Sequence, residues 1–272
     1  MLFLLSRFRS VSILWVSCLL IGSLTATAHA EGSHFMSGLP IHDVYPVPSG
    51  IMFPSLFTAA GVNPAALPQQ DKPASGISLA YSPPAGGGDH EYSLSVASAT
   101  KTFGWGVSYD GLYDNSPTHG LDAGIGFRST SSAIGIGLRD ADLMNASPQT
   151  DIGFLTGTDS DVSVGLVLYH IDASPQLDVG VGFGQGKNYN FELNLLLPAI
   201  SDLFRAGSNY SLTAATTVYV SVFGLSFKSS YQTLTSSVFQ SVSILMYLTK
   251  SISINLQYDS PNRTFYGMTF LF

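Results

Sequence analysis

The chain has 272 residues, of which 11% are charged, 45% hydrophobic and 12% aromatic, whereas soluble domains carry about a quarter charged residues. Its mean hydropathy is positive, yet beyond residue 30 no apolar run reaches the roughly 18 residues of a spanning helix. That pairing excludes a helical-bundle transporter and argues against an ordinary cytosolic enzyme. The net charge of −7 argues against nucleic acid as a partner.

Residues 1–30 read as a secretory leader. Arg7 and Arg9 supply its charged start, an apolar stretch runs from Val11 to Leu24, and Ala28-His29-Ala30 forms an A-x-A cleavage pattern. Cleavage there would remove Cys18, the only cysteine, and with it any thiol or disulfide chemistry. Losing the two arginines would leave nine basic against eighteen acidic residues, a net charge of −9.

Residues 31–74 show no alternation and hold Pro40, Pro46, Pro48, Pro54, Pro64, Pro68 and Pro73. Their small-residue run, Phe57-Thr58-Ala59-Ala60-Gly61-Val62-Asn63-Pro64-Ala65-Ala66-Leu67, is too apolar for a solvated tail. It is expected to pack inside or under the following domain as a hatch or plug.

From residue 75 to 272 the chain repeats one pattern. Ile252, Ile254, Leu256 and Tyr258 interleave with Ser251, Ser253, Asn255 and Gln257. Leu177, Val179, Val181 and Phe183 likewise interleave with Asp178, Gly180, Gly182 and Gly184. Successive strand side chains point to opposite faces, so each segment has one apolar and one polar face. A soluble sandwich alternates too, but its outer faces are rich in Lys and Glu; here the polar faces are Ser, Thr, Asn and Gly. Segment lengths fit strands of about 9–11 residues crossing a bilayer. The predicted fold is all-β, a transmembrane antiparallel barrel preceded by the hatch.

The count is fourteen strands, with twelve as the alternative: 76–82, 91–99, 102–110, 120–129, 132–139, 150–157, 161–170, 176–185, 188–197, 210–220, 223–231, 239–248, 251–259 and 264–272. Short connections alternate with longer ones, as in outer-membrane barrels with tight periplasmic turns and longer external loops. Tyr81, Tyr92, Phe103, Tyr109, Phe127, Phe183, Tyr189, Tyr258 and Tyr266 fall near strand ends on the apolar face. They fit the aromatic girdles of a membrane interface. Tyr266, Met268, Phe270 and Phe272 alternate up to the final residue. That ending resembles the C-terminal signal by which bacterial outer-membrane barrels are recognised by their assembly machinery.

The opposite face would line the lumen with Glu91, Asp122, Arg128, Asp161, Asp178, Glu192 and Lys228. Such charges cost up to about 2–4 kcal/mol against lipid at the midplane. Glycine recurs on that face at 104, 106, 124, 126, 135, 137, 153, 165, 180, 182 and 184. The room it leaves suits a passage or ligand cavity, or equally a lumen filled by the N-terminal segment.

The motif Asn63-Pro64-Ala65-Ala66-Leu67, placed just before a barrel, resembles the N-terminal hatch of FadL-type long-chain fatty-acid transporters. The resemblance implies a fourteen-stranded, hatch-plugged barrel passing fatty acids or similar hydrophobic molecules. This chain departs from that family in its short loops. The longest, 198–209, carries Phe204 and Arg205, a candidate patch for a fatty-acid carboxylate, with a surface helix on the rim as the alternative.

His90, His119 and His170 fall near loop ends, but no motif pairs a nucleophile with a base, and Gly86-Gly87-Gly88 lacks the lysine of a phosphate loop. No enzyme, metal or cofactor is expected. The expectation is passive uptake of small hydrophobic molecules across the bacterial outer membrane, with a blocked structural barrel as the alternative. Its expected partners are membrane lipids and the assembly machinery.

Overall fold

The computed structural model describes residues 50–68, 73–83, 90–113, 118–140, 147–158, 160–172, 174–184, 189–199, 210–233, 235–259 and 263–272. The predicted leader, and Phe204 and Arg205, lie outside these residues.

Fourteen strands follow one another in chain order. They are β1 (Ala74–Ser82), β2 (His90–Ala99), β3 (Phe103–Tyr113), β4 (Thr118–Ser129), β5 (Ser132–Asp140), β6 (Gln149–Thr156) and β7 (Val162–Tyr169). The remainder are β8 (Gln176–Phe183), β9 (Tyr189–Ala199), β10 (Ser211–Val220), β11 (Phe223–Gln232), β12 (Ser237–Tyr247), β13 (Ile252–Asp259) and β14 (Arg263–Leu271). Each pairs antiparallel with its neighbours, and β1 pairs with β14 to close a barrel. The fourteen-strand count therefore holds, and twelve is excluded. Closure leaves no open sheet edge, so backbone N–H and C=O groups are satisfied within the wall, as hydrocarbon requires.

The register fixes the faces. At the seam Ile77, Leu79 and Tyr81 stand opposite Phe270, Met268 and Tyr266. On β4, β5 and β6, Ile125, Ile136 and Ile152 form one outward row. Most of these outward side chains are exposed, Ile136 at 49%, and Phe127 beside them at 51%, while Ile77, Ile152 and Phe270 are half-buried. A contiguous apolar belt of this kind on an isolated protein marks a membrane-facing surface. It explains why so little of the chain is charged: half of every strand is committed to lipid.

Two aromatic sets flank the belt. Phe103 and Phe127 pack at 5.1 Å between ring centroids at the end where the short turns lie, and Phe183 and Phe191 at 6.2 Å. At the other end Tyr81, Tyr92, Tyr109, Tyr258 and Tyr266 face outward. There the Tyr81 hydroxyl meets His90 Nδ1 at 2.8 Å and the Tyr109 hydroxyl meets His119 Nδ1 at 2.8 Å. Amphipathic rings with a bonded polar tip suit the headgroup level. Tight turns close the first end, such as Ser221-Val222 between β10 and β11, where Ser221 takes φ 56°.

Candidate functional site: the lumen and its inner segment

The inward face is polar and small. Hydroxyls pair across strands, Ser78 with Thr269 at 3.0 Å, Ser95 with Ser108 at 3.0 Å and Thr217 with Ser226 at 3.0 Å. Against this face lies residues 50–68, threaded through the lumen rather than beneath it. Met52, Asn63, Ala65 and Leu67 are fully buried.

The segment keeps its shape through local bonds. Residues Ala59–Val62 form a single helical turn, α1, and Pro64–Ala66 a 3-10 turn. Asn63 joins them: its Oδ1 accepts from the Ala65 amide at 3.1 Å, capping the turn that Pro64 begins. Its Nδ2 donates to the Ile51 carbonyl at 2.9 Å, drawing residues 51–65 into a closed loop. This is the physical content of the Asn-Pro-Ala-Ala-Leu motif. An amide side chain both caps and staples, and the alanines after it are small enough to sit flat on the wall.

The wall is shaped to receive them. A Cβ on Gly104 would come within 2.8 Å of the Leu67 carbonyl, one on Gly137 within 3.0 Å of the Ala60 carbonyl, and one on Gly124 within 3.1 Å of Ala60 Cα. On Gly135 it would fall on the Pro64 carbonyl carbon. The inward glycines of β3 to β6 therefore form a trough for backbone. Of the two sequence readings of these glycines, the filled lumen is the one observed along this stretch.

Charged wall residues hold the segment at two places. On β9, Glu192 is almost wholly buried and accepts from the amides of Gly50 and Met52, the latter at 2.9 Å. Two backbone donors on one carboxylate compensate its removal from water. On β5, the Arg139 guanidinium donates to the Gly61 carbonyl and lies 3.5 Å from Asp122 and 3.7 Å from Asp151. It also sits 5.4 Å from the centroid of the Tyr169 ring, whose hydroxyl donates to the Val62 carbonyl at 2.8 Å. Asp151 in turn accepts the His170 amide at 2.8 Å. Wall strands β4 to β7 thus converge on the end of α1.

Of the lumen residues read from the sequence, Glu91, Asp122, Arg128, Asp178, Glu192 and Lys228 lie on the inward register. Arg128 sits at the turn end, its Nε donating to the Thr130 carbonyl at 3.3 Å. Asp161 is the exception. It precedes β7, is exposed at a turn, and does not line the wall. The motif residues Asn63, Pro64, Ala65, Ala66 and Leu67 are all buried in the lumen. Tyr266, Met268 and Phe270 occupy the outward row of β14, and Phe272 is 80% exposed beyond its end.

Arg139, Asp151 and Tyr169 were not singled out in the sequence, although the signal was there. Arg139 shares parity with Gly135 and Gly137, Asp151 with Gly153, and Tyr169 with Gly165, so inward phase alone places them.

Space remains toward the loop end. A cavity of about 630 Å³ is lined by Phe57, Val62, Glu91, Asp110, Arg139 and Phe265 among others. A second, of about 380 Å³, is lined by Lys228, Ser230, Phe239 and Asp259 among others. Both mix apolar rings with charge, a lining suited to an amphipathic guest.

No family model matches the chain, and no curated protein does. Among solved structures, an engineered variant of the Rhodopseudomonas blastica porin is 8% identical with a TM-score of 0.45, over 74% of this chain and 99% of the porin. A second variant of that porin is 9% identical with a TM-score of 0.44 over the same shares. The chain is similar to these porins at that level, while its barrel is established by its own strand pairing.

Proposed function

We propose that the protein is a bacterial outer-membrane channel for passive passage of small hydrophobic or amphipathic molecules, fatty acids among them, with residues 50–68 as its hatch. The carrying observation is that this segment lies in the lumen without joining the sheet. It is held by side chains of Glu192, Arg139 and Tyr169 rather than by a strand ladder. A segment held this way can leave while the barrel stays closed, because among the described residues no strand-to-strand hydrogen bond of the wall involves it. The mixed lining of the larger cavity supports an amphipathic guest. The reading has no catalytic step. Its partners are outer-membrane lipids, the barrel-assembly machinery that would read the Phe272 terminus, and the permeant itself.

The test is uptake of a labelled long-chain fatty acid, and of several uncharged hydrophobic solutes, by cells with and without the protein. Conductance of the purified barrel in planar bilayers accompanies it, with and without residues 50–67. Faster uptake, and larger conductance on deletion, are expected. Equal uptake across all solutes would overturn the passage reading. It would favour the second one, a structural barrel whose lumen is blocked, for which the depth of burial of Asn63 and Leu67 speaks.

A further inference from the structure

We infer that the inner segment is held by two latches of different kind: a fixed anchor at Glu192, and a releasable latch at Arg139 that a permeant can reach. The inference rests on the passage reading and names the residues that position its hatch.

Three observations separate the latches. Glu192 is sealed: almost wholly buried, it grips the Gly50 and Met52 amides and lines neither described cavity. Arg139 borders the larger cavity beside Phe57 and Val62, and its side chain is 30% exposed. Among the described residues, Arg139 is the one guanidinium or ammonium within ion-pair distance of Asp122 and Asp151, the His170 imidazole lying 3.9 Å from Asp151 alone, and it bonds the Gly61 carbonyl as well.

Direction follows from charge. With Arg139 in place, two carboxylates of the wall and the carbonyl of the segment share one guanidinium. Without it, carboxylates on β4 and β6 face carbonyl oxygens at the end of α1, and the contact turns from attractive to repulsive. Glu192 meets the segment through the Gly50 and Met52 amides, which donate to it, so no oxygen-to-oxygen repulsion between wall and segment is held in check there. Residues 59–67 therefore swing away from the β3–β6 trough while residues 50–52 stay anchored on β9. A charged group on a molecule entering the cavity meets the Arg139 latch and not the Glu192 anchor.

Single cysteines at Ala66 and at Met52 report on the two halves, both positions being buried. Cys18, the only native cysteine, lies in the predicted leader. The full-length protein, assembled in membranes, is labelled with a membrane-impermeant maleimide in the native, Arg139→Gln, Tyr169→Phe and Glu192→Gln backgrounds. Different migration of heated and unheated protein in detergent gels confirms that each barrel has assembled. Arg139→Gln is expected to raise the labelling rate at position 66 by roughly tenfold to a hundredfold, the range for losing a bond to a charged group. Position 52 should be unchanged. Tyr169→Phe, which removes only the bond to Val62, should act in the same direction and less; it keeps the test alive should Arg139→Gln not assemble. Glu192→Gln should raise labelling at position 52.

Unchanged labelling at 66 in both Arg139→Gln and Tyr169→Phe would overturn the latch. So would positions 52 and 66 rising together in either, since the segment would then leave as one piece. Conductance of the same proteins separates this outcome from the passage reading. Labelling gained at 66 with no conductance and no solute uptake in any variant sinks the passage and leaves the latch standing.

Discussion

A methyl group on the trough floor is the sharpest perturbation the lumen offers. In Gly104→Ala the new Cβ would lie 2.8 Å from both the carbonyl carbon and oxygen of Leu67, and 2.9 Å from its Cβ. Ordinary carbon–carbon contact begins near ~3.5 Å, so the segment must retreat by about 0.7 Å or leave the trough. No side chain can yield instead, because the obstructing atoms are mainly backbone. Overpacking of this kind costs about 1–3 kcal/mol, which shifts a docking equilibrium by roughly 5–150-fold. Gly106→Ala is the graded control: its nearest neighbour, at 3.3 Å, is the flexible Cδ2 of Leu67. Gly267→Ala on β14 is the null control, with nothing closer than 3.4 Å and no segment atom among the three nearest. There the stiffer unfolded chain contributes, if anything, about 0.4–1 kcal/mol of stability. The assay is maleimide labelling of a cysteine at Ala66, alongside the temperature at which the folded barrel loses its distinct gel migration. Gly104→Ala should expose position 66 with little change in the melting of the barrel, Gly106→Ala should do so weakly, and Gly267→Ala not at all. If Gly104→Ala labels like Gly267→Ala, the close fit between trough and segment has no energetic meaning.

Three further outcomes are expected. Ile136→Lys, at the centre of β5 on the outward row, should cost about 2–4 kcal/mol of barrel stability in lipid, measured by urea titration in vesicles; a neutral result would contradict the lipid-facing assignment. Deleting Phe272, which protrudes past β14, should lower the amount of assembled, heat-modifiable protein in membranes, whereas equal amounts would deny it a role in recognition. Asp172, in the loop after β7, accepts from the Thr150 amide at 3.1 Å and its hydroxyl at 3.4 Å. The amide bond foremost holds this carboxyl below the ordinary carboxylate range. A depressed folded pKa contributes stability present above the ordinary value and lost as pH falls through the lowered one. The protection of the Thr150 amide against hydrogen exchange, taken relative to the intrinsic rate at each pH, should therefore fall on strong acidification, and Asp172→Asn should flatten that dependence.

How much of this was legible in the chain depends on the range of the interaction. Alternation is local: whether Ile254 or Asn255 faces lipid is set by the pleat of one strand, so the strands and their outward rows follow from residue order. The inward phase of Arg139, Asp151 and Tyr169 was equally readable, since each shares parity with a glycine already assigned to the lumen. Asp161 was misplaced for the complementary reason. It has the right parity, but it lies just outside β7, where a turn releases it from the pleat.

Other features exist only in three dimensions. The pairing of β1 with β14 joins Ile77 to Phe270, and no local signal marks that closure. The amide of Gly50 finds Glu192 across 142 residues, and Arg139 finds Gly61 across 78. Such bonds have no periodicity to read; they arise because closing the sheet brings β4 to β9 around one space. Composition thus established a membrane-facing strand protein with a small, polar inner face. What occupies that face, and which charges hold it there, was decided by barrel closure, because only then do glycine floor, Glu192 and Arg139 surround the same stretch of backbone, residues 50–68.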